Sequence, residues 1–396
     1  MMGLGYIGLP TAALIASRGI QVQGIDVNQS VVDTINSGKI HIVEPALDGL
    51  VKHVVEKGLL KANINPDNAD VFLIAVPTPF KGDHEPDLKY VESATKMIIP
   101  KLKEGNLFIL ESTSPVGATD KMAKIIFEER PELKGKINIA YCPERVLPGN
   151  VIYELEHNDR VIGGLDEQST IVAQNFYRLF VKGELHATNA KTAEMCKLVE
   201  NSSRDVSIAF ANELSMICDK AEINVWELIH LANKHPRVNI LQPGTGVGGH
   251  CIAVDPWFIV SEFEKEAIII RNAREINNYK TQWVIEKIKS TALEFELANN
   301  KKPTIALMGL AFKPDIDDLR ESPALLVADT LLSNGKYNLL LVEPNLEENL
   351  KYDLTDYRGL NGRADIVAYL VAHNQFKGLE FKSTILDFCG IKKSIK

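Results

Sequence analysis

Short apolar runs alternate with longer amphipathic stretches along the first 150 residues. Residues 22–26, 71–76, 107–110 and 137–141 are apolar and bounded by polar or turn residues. Such runs read as parallel strands buried on both faces, and the stretches between them as helices. One such helix covers 45–57 and is closed by Gly58 in the position where helices favour glycine. Strand–helix alternation of this kind predicts a doubly wound α/β domain.

From 151 to 235 there is no proline, and the period lengthens. Residues 189–222 predict one long helix and 225–233 another, a helical segment of the sort that links and dimerises α/β units. The strand–helix pattern then restarts, with strands at 304–310, 339–342 and 366–371 and a helix at 323–332. The predicted fold class is therefore α/β, with two Rossmann-like domains joined by a long central helix and a helical dimerisation segment. The expected boundaries are 1–188, 189–298 and 299–396.

Composition narrows this picture only slightly. A chain of 396 residues suits two or three domains. Its 44 basic and 52 acidic residues give a net charge of −8 with no basic cluster, which argues against a nucleic-acid partner. The five cysteines are odd in number and form no CxxC pair, so neither a disulfide framework nor a metal site is expected. No apolar run reaches 18 residues and no charged-then-apolar leader is present, so a cytoplasmic protein with no membrane partner is expected.

Candidate chemistry begins at the first turn. Gly3-Leu-Gly5-Tyr6-Ile7-Gly8 matches GxGxxG, and Asp26 follows eighteen residues after Gly8 at the end of an apolar run. In this motif glycines let the backbone approach a pyrophosphate at a helix N-terminus, and the acidic residue bonds a ribose hydroxyl and repels a 2′-phosphate. NAD is therefore the expected cofactor; the plainer reading is a tight turn without a ligand. Thr78 and Thr113 sit in loops after strands, where a cofactor crevice lies, and ordinary helix capping explains each as well. Only Met1 and Met2 precede Gly3, too few for a complete first strand, so the natural protein is expected to begin several residues upstream.

Lys197, Asn201 and Arg204 are spaced i, i+4, i+7 on the long helix and share a face, either a functional stripe or a solvated one. Further on, Gly244, Gly246, Gly248 and Gly249 let the backbone pass close to something just before Cys251. A cysteine there is either a buried apolar residue or, beside a dinucleotide, a nucleophile able to trap an aldehyde. Arg237 suits a phosphate or sugar substituent, with His235 beside it as a second contact or a packing residue. Glu144, after the 137–141 strand, is either a general base or a surface carboxylate.

These segments, taken together, resemble the UDP-glucose/GDP-mannose dehydrogenase family over essentially the whole chain. The motifs are GLGYIGLP from Gly3, VPTP from Val76, STSPVGAT from Ser112, CPERVLPG from Cys142, AEMCKLVEN from Ala193, GVGGHC from Gly246 and GLAFKPDIDDLRESP from Gly309. Within the family, the segment from His235 to Phe258 is most similar to the branch acting on UDP-N-acetyl-D-mannosamine. The UDP-glucose branch usually carries Phe-Pro-Lys-Asp after its cysteine, where this chain has Ile252-Ala253-Val254-Asp255. Proline often stands in the mannosamine branch where Ala253 is.

The resemblance implies a four-electron oxidation of the sugar C6 alcohol to a carboxylate through Cys251. It assigns Lys197 and Asn201 to the developing oxyanion, Asp255 to proton sharing and Glu144 to thioester hydrolysis. It implies substrate contacts from Arg145, Val146, Lys197, Asn201, Arg204, His235, Arg237, Gly248, Phe312 and Lys313, with Gly3, Gly5, Tyr6, Ile7, Gly8, Asp26, Thr78, Thr113 and Arg320 at NAD. It also implies a homodimer built on the central helices. Three other readings stay open: a single-hydride hydroxyacid-type dehydrogenase, a non-catalytic NAD-binding scaffold, and the same chemistry on UDP-glucose or another UDP-hexosamine.

Overall fold

The computed structural model describes residues 1–396 except 83, 147–148, 250, 347–350 and 393–396, so Leu147, Pro148 and His250 of the motifs above lie outside the described residues. The chain forms two compact units, Met1–Glu200 and Asn201–Lys396.

The first unit runs α1 (Gly8–Ser17), β1 (Val22–Ile25), α2 (Gln29–Asn36), α3 (Leu47–Glu56), β2 (Leu60–Asn63), β3 (Val71–Ile74), a small hairpin of β4 (Phe80–Lys81) and β5 (Glu85–Pro86), and α4 (Lys89–Ile98). It continues with β6 (Leu107–Leu110), α5 (Ala118–Glu129), β7 (Asn138–Tyr141), α6 (Val151–His157), β8 (Arg160–Gly164), α7 (Glu167–Tyr177), β9 (Leu185–Asn189) and the start of α8 (Ala190–Lys220). The strand order is β3-β6-β7-β8-β9, with β1-β2 as a separate pair. Met2 bridges the two pieces, pairing in parallel with both Ile25 and Ile74.

Met1 and Met2 thus occupy the place of the first strand in this sheet. The amide of Met2 donates to Leu73 and that of Gly3 to Ile25, while the carbonyls of Met1 and Met2 accept from Ile25 and Ala75. The resulting order, β2-β1-Met2-β3-β6-β7, is that of a doubly wound dinucleotide-binding sheet. Its pairings are parallel apart from β7 with β8, which is antiparallel. All four residues of β6 are buried, between one apolar cluster containing α1 and α3 and another containing α4 and α5. That sandwiching is why the run reads as continuously apolar.

The second unit holds the rest of α8, then α9 (Val225–Ala232), α10 (Asp255–Glu262), α11 (Ile268–Asn299), β10 (Thr304–Met308), α12 (Pro323–Ser333), β11 (Asn338–Val342), β12 (Ile366–Tyr369) and β13 (Thr384–Asp387). Its four strands are all parallel, in the order β11-β10-β12-β13. Ser322 caps α12 by accepting from the Leu325 amide, with Pro323 in the first turn, where a missing N–H costs nothing.

The 32-residue helix α11 falls in the expected helical segment 189–298, but was not read there as a single long helix. Its buried face mixes Arg274, Asn277, Lys280 and Thr281 with Val284, Ile285, Ile288 and Ala292, so the polar half hides the apolar period. Three of these polar groups meet α8, and Thr281 donates to the Thr245 carbonyl. Arg274 Nη1 donates to Asp205 Oδ1 at 2.7 Å, Asn212 Nδ2 to Asn277 Oδ1 at 2.9 Å, and Lys280 Nζ to Ser215 Oγ at 2.7 Å. Pairing offsets the large penalty of burying such groups alone. Among the described residues no helix is long and apolar enough to cross a membrane.

Candidate active site

In the first unit, the glycine-rich turn leads from the Met2 bridge into α1. A Cβ on Gly8 would lie 1.9 Å from the Gly3 carbonyl oxygen, so only glycine lets the helix start here. A Cβ on Gly5 would meet nothing within 4 Å. That face of the turn is open, as a backbone that must approach a pyrophosphate requires. No side chain caps the N-terminus of α1 and no acidic residue stands in its first turn; the amides of Leu9 and Thr11 donate to the Gly5 and Ile7 carbonyls, and the positive end of the helix faces the open turn. Asp26 Oδ2 accepts from the Leu4 amide at 3.1 Å and Oδ1 from the Asn28 amide at 3.0 Å, holding the carboxylate at the end of β1 while the residue stays partly exposed. Tyr6 is exposed and Ile7 half-buried on the same turn. These residues fit a dinucleotide.

The two predicted threonines meet each other: Thr78 Oγ1 donates to the Thr113 carbonyl at 2.6 Å. Two residues that sequence reasoning missed fix these loops. Ser112 Oγ accepts from the Val76 amide at 2.9 Å. Glu194, fully buried on α8, accepts from the amides of Gly117 and Thr119 and from the Thr119 hydroxyl, capping α5, which has no capping side chain of its own. The only sequence signal for Glu194 was a carboxylate on the core side of a helix.

Glu144 is buried rather than a surface carboxylate. Its Oε2 pairs with Arg160 Nη1 at 2.9 Å, and its Oε1 accepts from the Arg145 amide at 2.6 Å. Nearby, Tyr177 donates to Glu111 Oε1 at 2.5 Å, and burial, the largest influence, pushes the Glu111 carboxyl up to about 7. Arg145 is tied to Glu200 at 2.7 Å, and Val146 is half-buried beside it. Lys197 is half-buried on α8.

In the second unit, Asn201 Nδ2 donates to Asp255 Oδ2 at 2.6 Å. The amide of Asp255, the first residue of α10, donates to the Cys251 carbonyl at 2.8 Å, so the cysteine and the carboxylate belong to one turn. None of the five cysteines is in a disulfide, and Cys251 alone is exposed. Burial pushes the Cys142 thiol up to about 12 and raises that of Cys218. Arg204, His235 and Arg237 are exposed, the last two in the segment after α9.

The glycine-rich loop passes close to the turn between β10 and α12. A Cβ on Gly248 would stand 2.4 Å from the Glu321 carbonyl oxygen and 2.9 Å from Phe312 Cβ; one on Gly249 would stand 2.9 Å from the Phe312 ring. The Gly249 amide donates to the Arg320 carbonyl at 3.3 Å. Gly248 and Gly249, just before Cys251 in the chain, are therefore packed against Phe312. Lys313 is exposed, with its Nζ 5.8 Å from the Phe312 ring centre. The Arg320 guanidinium is forked onto Asp318 within its own turn.

A doubly wound sheet with an open glycine turn in the first unit, and an exposed cysteine after a tightly packed loop in the second, are features of an NAD-dependent dehydrogenase. The chain belongs to the UDP-glucose/GDP-mannose dehydrogenase family. It matches the family's NAD binding domain over residues 1–181, its central domain over 191–279 and its UDP binding domain over 306–390. It is 56% identical over 407 residues to the UDP-N-acetyl-D-mannosamine dehydrogenase of Campylobacter jejuni, with 98% of each chain covered. It is 53% identical over 393 residues to an NDP-N-acetyl-D-galactosaminuronic acid dehydrogenase of Ralstonia nicotianae (strain ATCC BAA-1114 / GMI1000), covering 96% of this chain and 92% of that one. Among solved structures, it superposes on the UDP-D-ManNAc dehydrogenase of Pyrococcus horikoshii with a TM-score of 0.86 and 38% identity, covering 99% of this chain and 95% of that chain.

Proposed function

We propose that this enzyme oxidises the C6 alcohol of UDP-N-acetyl-D-mannosamine to UDP-N-acetyl-D-mannosaminuronate in two steps at Cys251. The observation that carries the proposal is the exposed thiol of Cys251, set one turn from the Asn201–Asp255 hydrogen bond on a loop packed against Phe312. NAD, when bound, accepts hydride in each oxidation.

Lys197 balances the charge that develops on the C6 oxygen as the hydroxyl gives up its proton, which Asp255 shares through water. The Cys251 sulfur adds to the aldehyde carbon to give a thiohemiacetal, which the second oxidation converts to a thioester. Water then displaces the sulfur, with Glu144 assisting, to release the carboxylate and restore the thiol. Asp255 orients the Asn201 amide, whose remaining donor serves the oxyanion. Arg145, Val146, Arg204, His235, Arg237 and Gly248 line the sugar and phosphates, and Phe312 and Lys313 grip the nucleotide. Arg320 is assigned to NAD, exchanging Asp318 for the cofactor.

The enzyme acts as a homodimer. Phe210 and Ile217, seven residues apart on α8, and Leu231 on α9 are 52%, 55% and 60% exposed, an unpartnered apolar face that suits a second copy. The second reading, the same chemistry on another UDP-hexosamine, is favoured by the Ralstonia relative. Purified enzyme assayed against UDP-N-acetylmannosamine, UDP-N-acetylgalactosamine and UDP-glucose, following NADH, separates them. The first is expected to give the highest kcat/KM; a clear preference for either of the others rejects the mannosamine assignment.

A further inference from the structure

Both sheets end their second crossing on an acidic residue beside a glycine-containing turn, but the two carboxylates are used differently. In the first unit, Asp26 accepts two backbone amides and stays partly exposed. In the second, Glu343 at the end of β11 is buried and fully occupied. Its Oε2 accepts from the amides of Leu310 and Ala311 at 2.7 and 2.9 Å and lies 3.0 Å from His373 Nε2. Its Oε1 accepts from the Asn345 amide at 3.1 Å and the Asn345 side chain at 3.3 Å. No lone pair is left for a ribose.

The other ring nitrogen of His373 fixes its tautomer. The Asp315 amide and the Asn345 side-chain amide both lie 2.9 Å from Nδ1. Two donors aimed at one nitrogen require a lone pair there, so the proton sits on Nε2 and is donated to Glu343. His373 is fully buried, and the ring reaches the loop at its most constrained point: Asp315 has φ +61°, and its carboxylate accepts from the backbone and side chain of Asn374.

Between these anchors lies the segment 310–315, which carries Phe312 and Lys313. Phe312 in turn fills the space against Gly248 and Gly249, two residues before Cys251. Glu343 and His373 touch none of the predicted substrate contacts themselves. They hold both ends of the segment that does.

We propose that Glu343 and the Nε2-protonated His373 are a positioning pair that presents the Phe312–Lys313 segment to the nucleoside diphosphate of the substrate. The proposal rests on the reading of Phe312 and Lys313 as the nucleotide grip, and its test is designed to separate the two. Binding of UDP by titration calorimetry, KM for the nucleotide sugar, KM for NAD, kcat and Tm are measured for His373→Leu, His373→Asn and Lys313→Ala. Leucine keeps the bulk and removes both nitrogens; asparagine keeps an acceptor near the Nδ1 position.

For His373→Leu, UDP affinity and sugar KM are each expected to worsen by roughly tenfold, the loss of about one well-made hydrogen bond's effect. The kcat and KM for NAD should stay within about threefold, and His373→Asn should recover most of the loss. If the leucine variant does not fold, Glu343→Gln replaces it, with the same expected split between sugar and NAD. Equal losses for leucine and asparagine, or an NAD effect as large as the sugar effect, overturn the positioning role. If Lys313→Ala weakens UDP and His373→Leu does not, the positioning role alone falls. If Lys313→Ala leaves UDP affinity unchanged, the grip reading falls and takes this proposal with it.

Discussion

Cys251 differs from the four other cysteines in what surrounds it. Cys142 and Cys218 are buried, and burial raises both thiols, which makes them poor nucleophiles. Cys251 is exposed, one turn before α10. Cys251→Ala is therefore expected to abolish uronate formation while leaving NAD affinity within about twofold, since nothing in the glycine turn changes. Uronate made at a near wild-type rate contradicts the covalent route. At the other site, Asp26→Ala removes the charge that repels a 2′-phosphate. The ratio of kcat/KM for NAD over NADP should fall by roughly tenfold or more, and an unchanged ratio would place NAD selectivity elsewhere.

Among the elements, α11 behaves least as the sequence suggests. Lys280 is almost completely buried among apolar groups, with its Nζ 3.9 Å from the Trp283 ring centre and bonded to Ser215. Burial, the main cause, lowers its amine from 10.5 to about 7. Between those two values the unfolded chain binds the proton and the folded one does not, so stability rises with pH through that window and the full burden is present below about 7. Lys280→Met should therefore stabilise the enzyme more at pH 6 than at pH 9.5, by a difference of roughly 3 kcal/mol. Denaturant unfolding of both proteins at the two pH values checks this, and a pH-independent difference contradicts it.

The same helix shows why part of the fold was hidden. Strands such as β6, apolar throughout because they are covered on both faces, stood out in the sequence, and so did the glycine turn, whose residues are dictated by backbone crowding. In α11 the core-facing positions are half polar, and their partners lie mostly on α8, 65 to 69 residues earlier in the chain, with Thr281 on the Thr245 carbonyl, and no local period reveals that. The site divides in the same way. Gly248, Cys251 and Asp255 could be proposed from the sequence because they lie close together in it. Glu194, Glu343 and His373 were not, because each acts on backbone amides from distant segments and leaves no local pattern.

For the molecule as a whole, the proposed homodimer rests on the exposed apolar residues Phe210 and Ile217 of α8 and Leu231 of α9. Ile217→Glu should shift the enzyme from dimer to monomer in analytical ultracentrifugation, because a buried unpaired carboxylate at an interface is strongly unfavourable. An unchanged sedimentation coefficient would place the subunit contact on another face. In the proposed reaction, one site performs both oxidations of one sugar carbon before release. The most direct test of this is the ratio of NADH formed to nucleotide sugar consumed, measured at completion with limiting UDP-N-acetylmannosamine, together with the mass of the product. Two NADH per sugar and a uronate product are the expected result; one NADH per sugar with an accumulating aldehyde, or a ketone in place of the uronate, would contradict it.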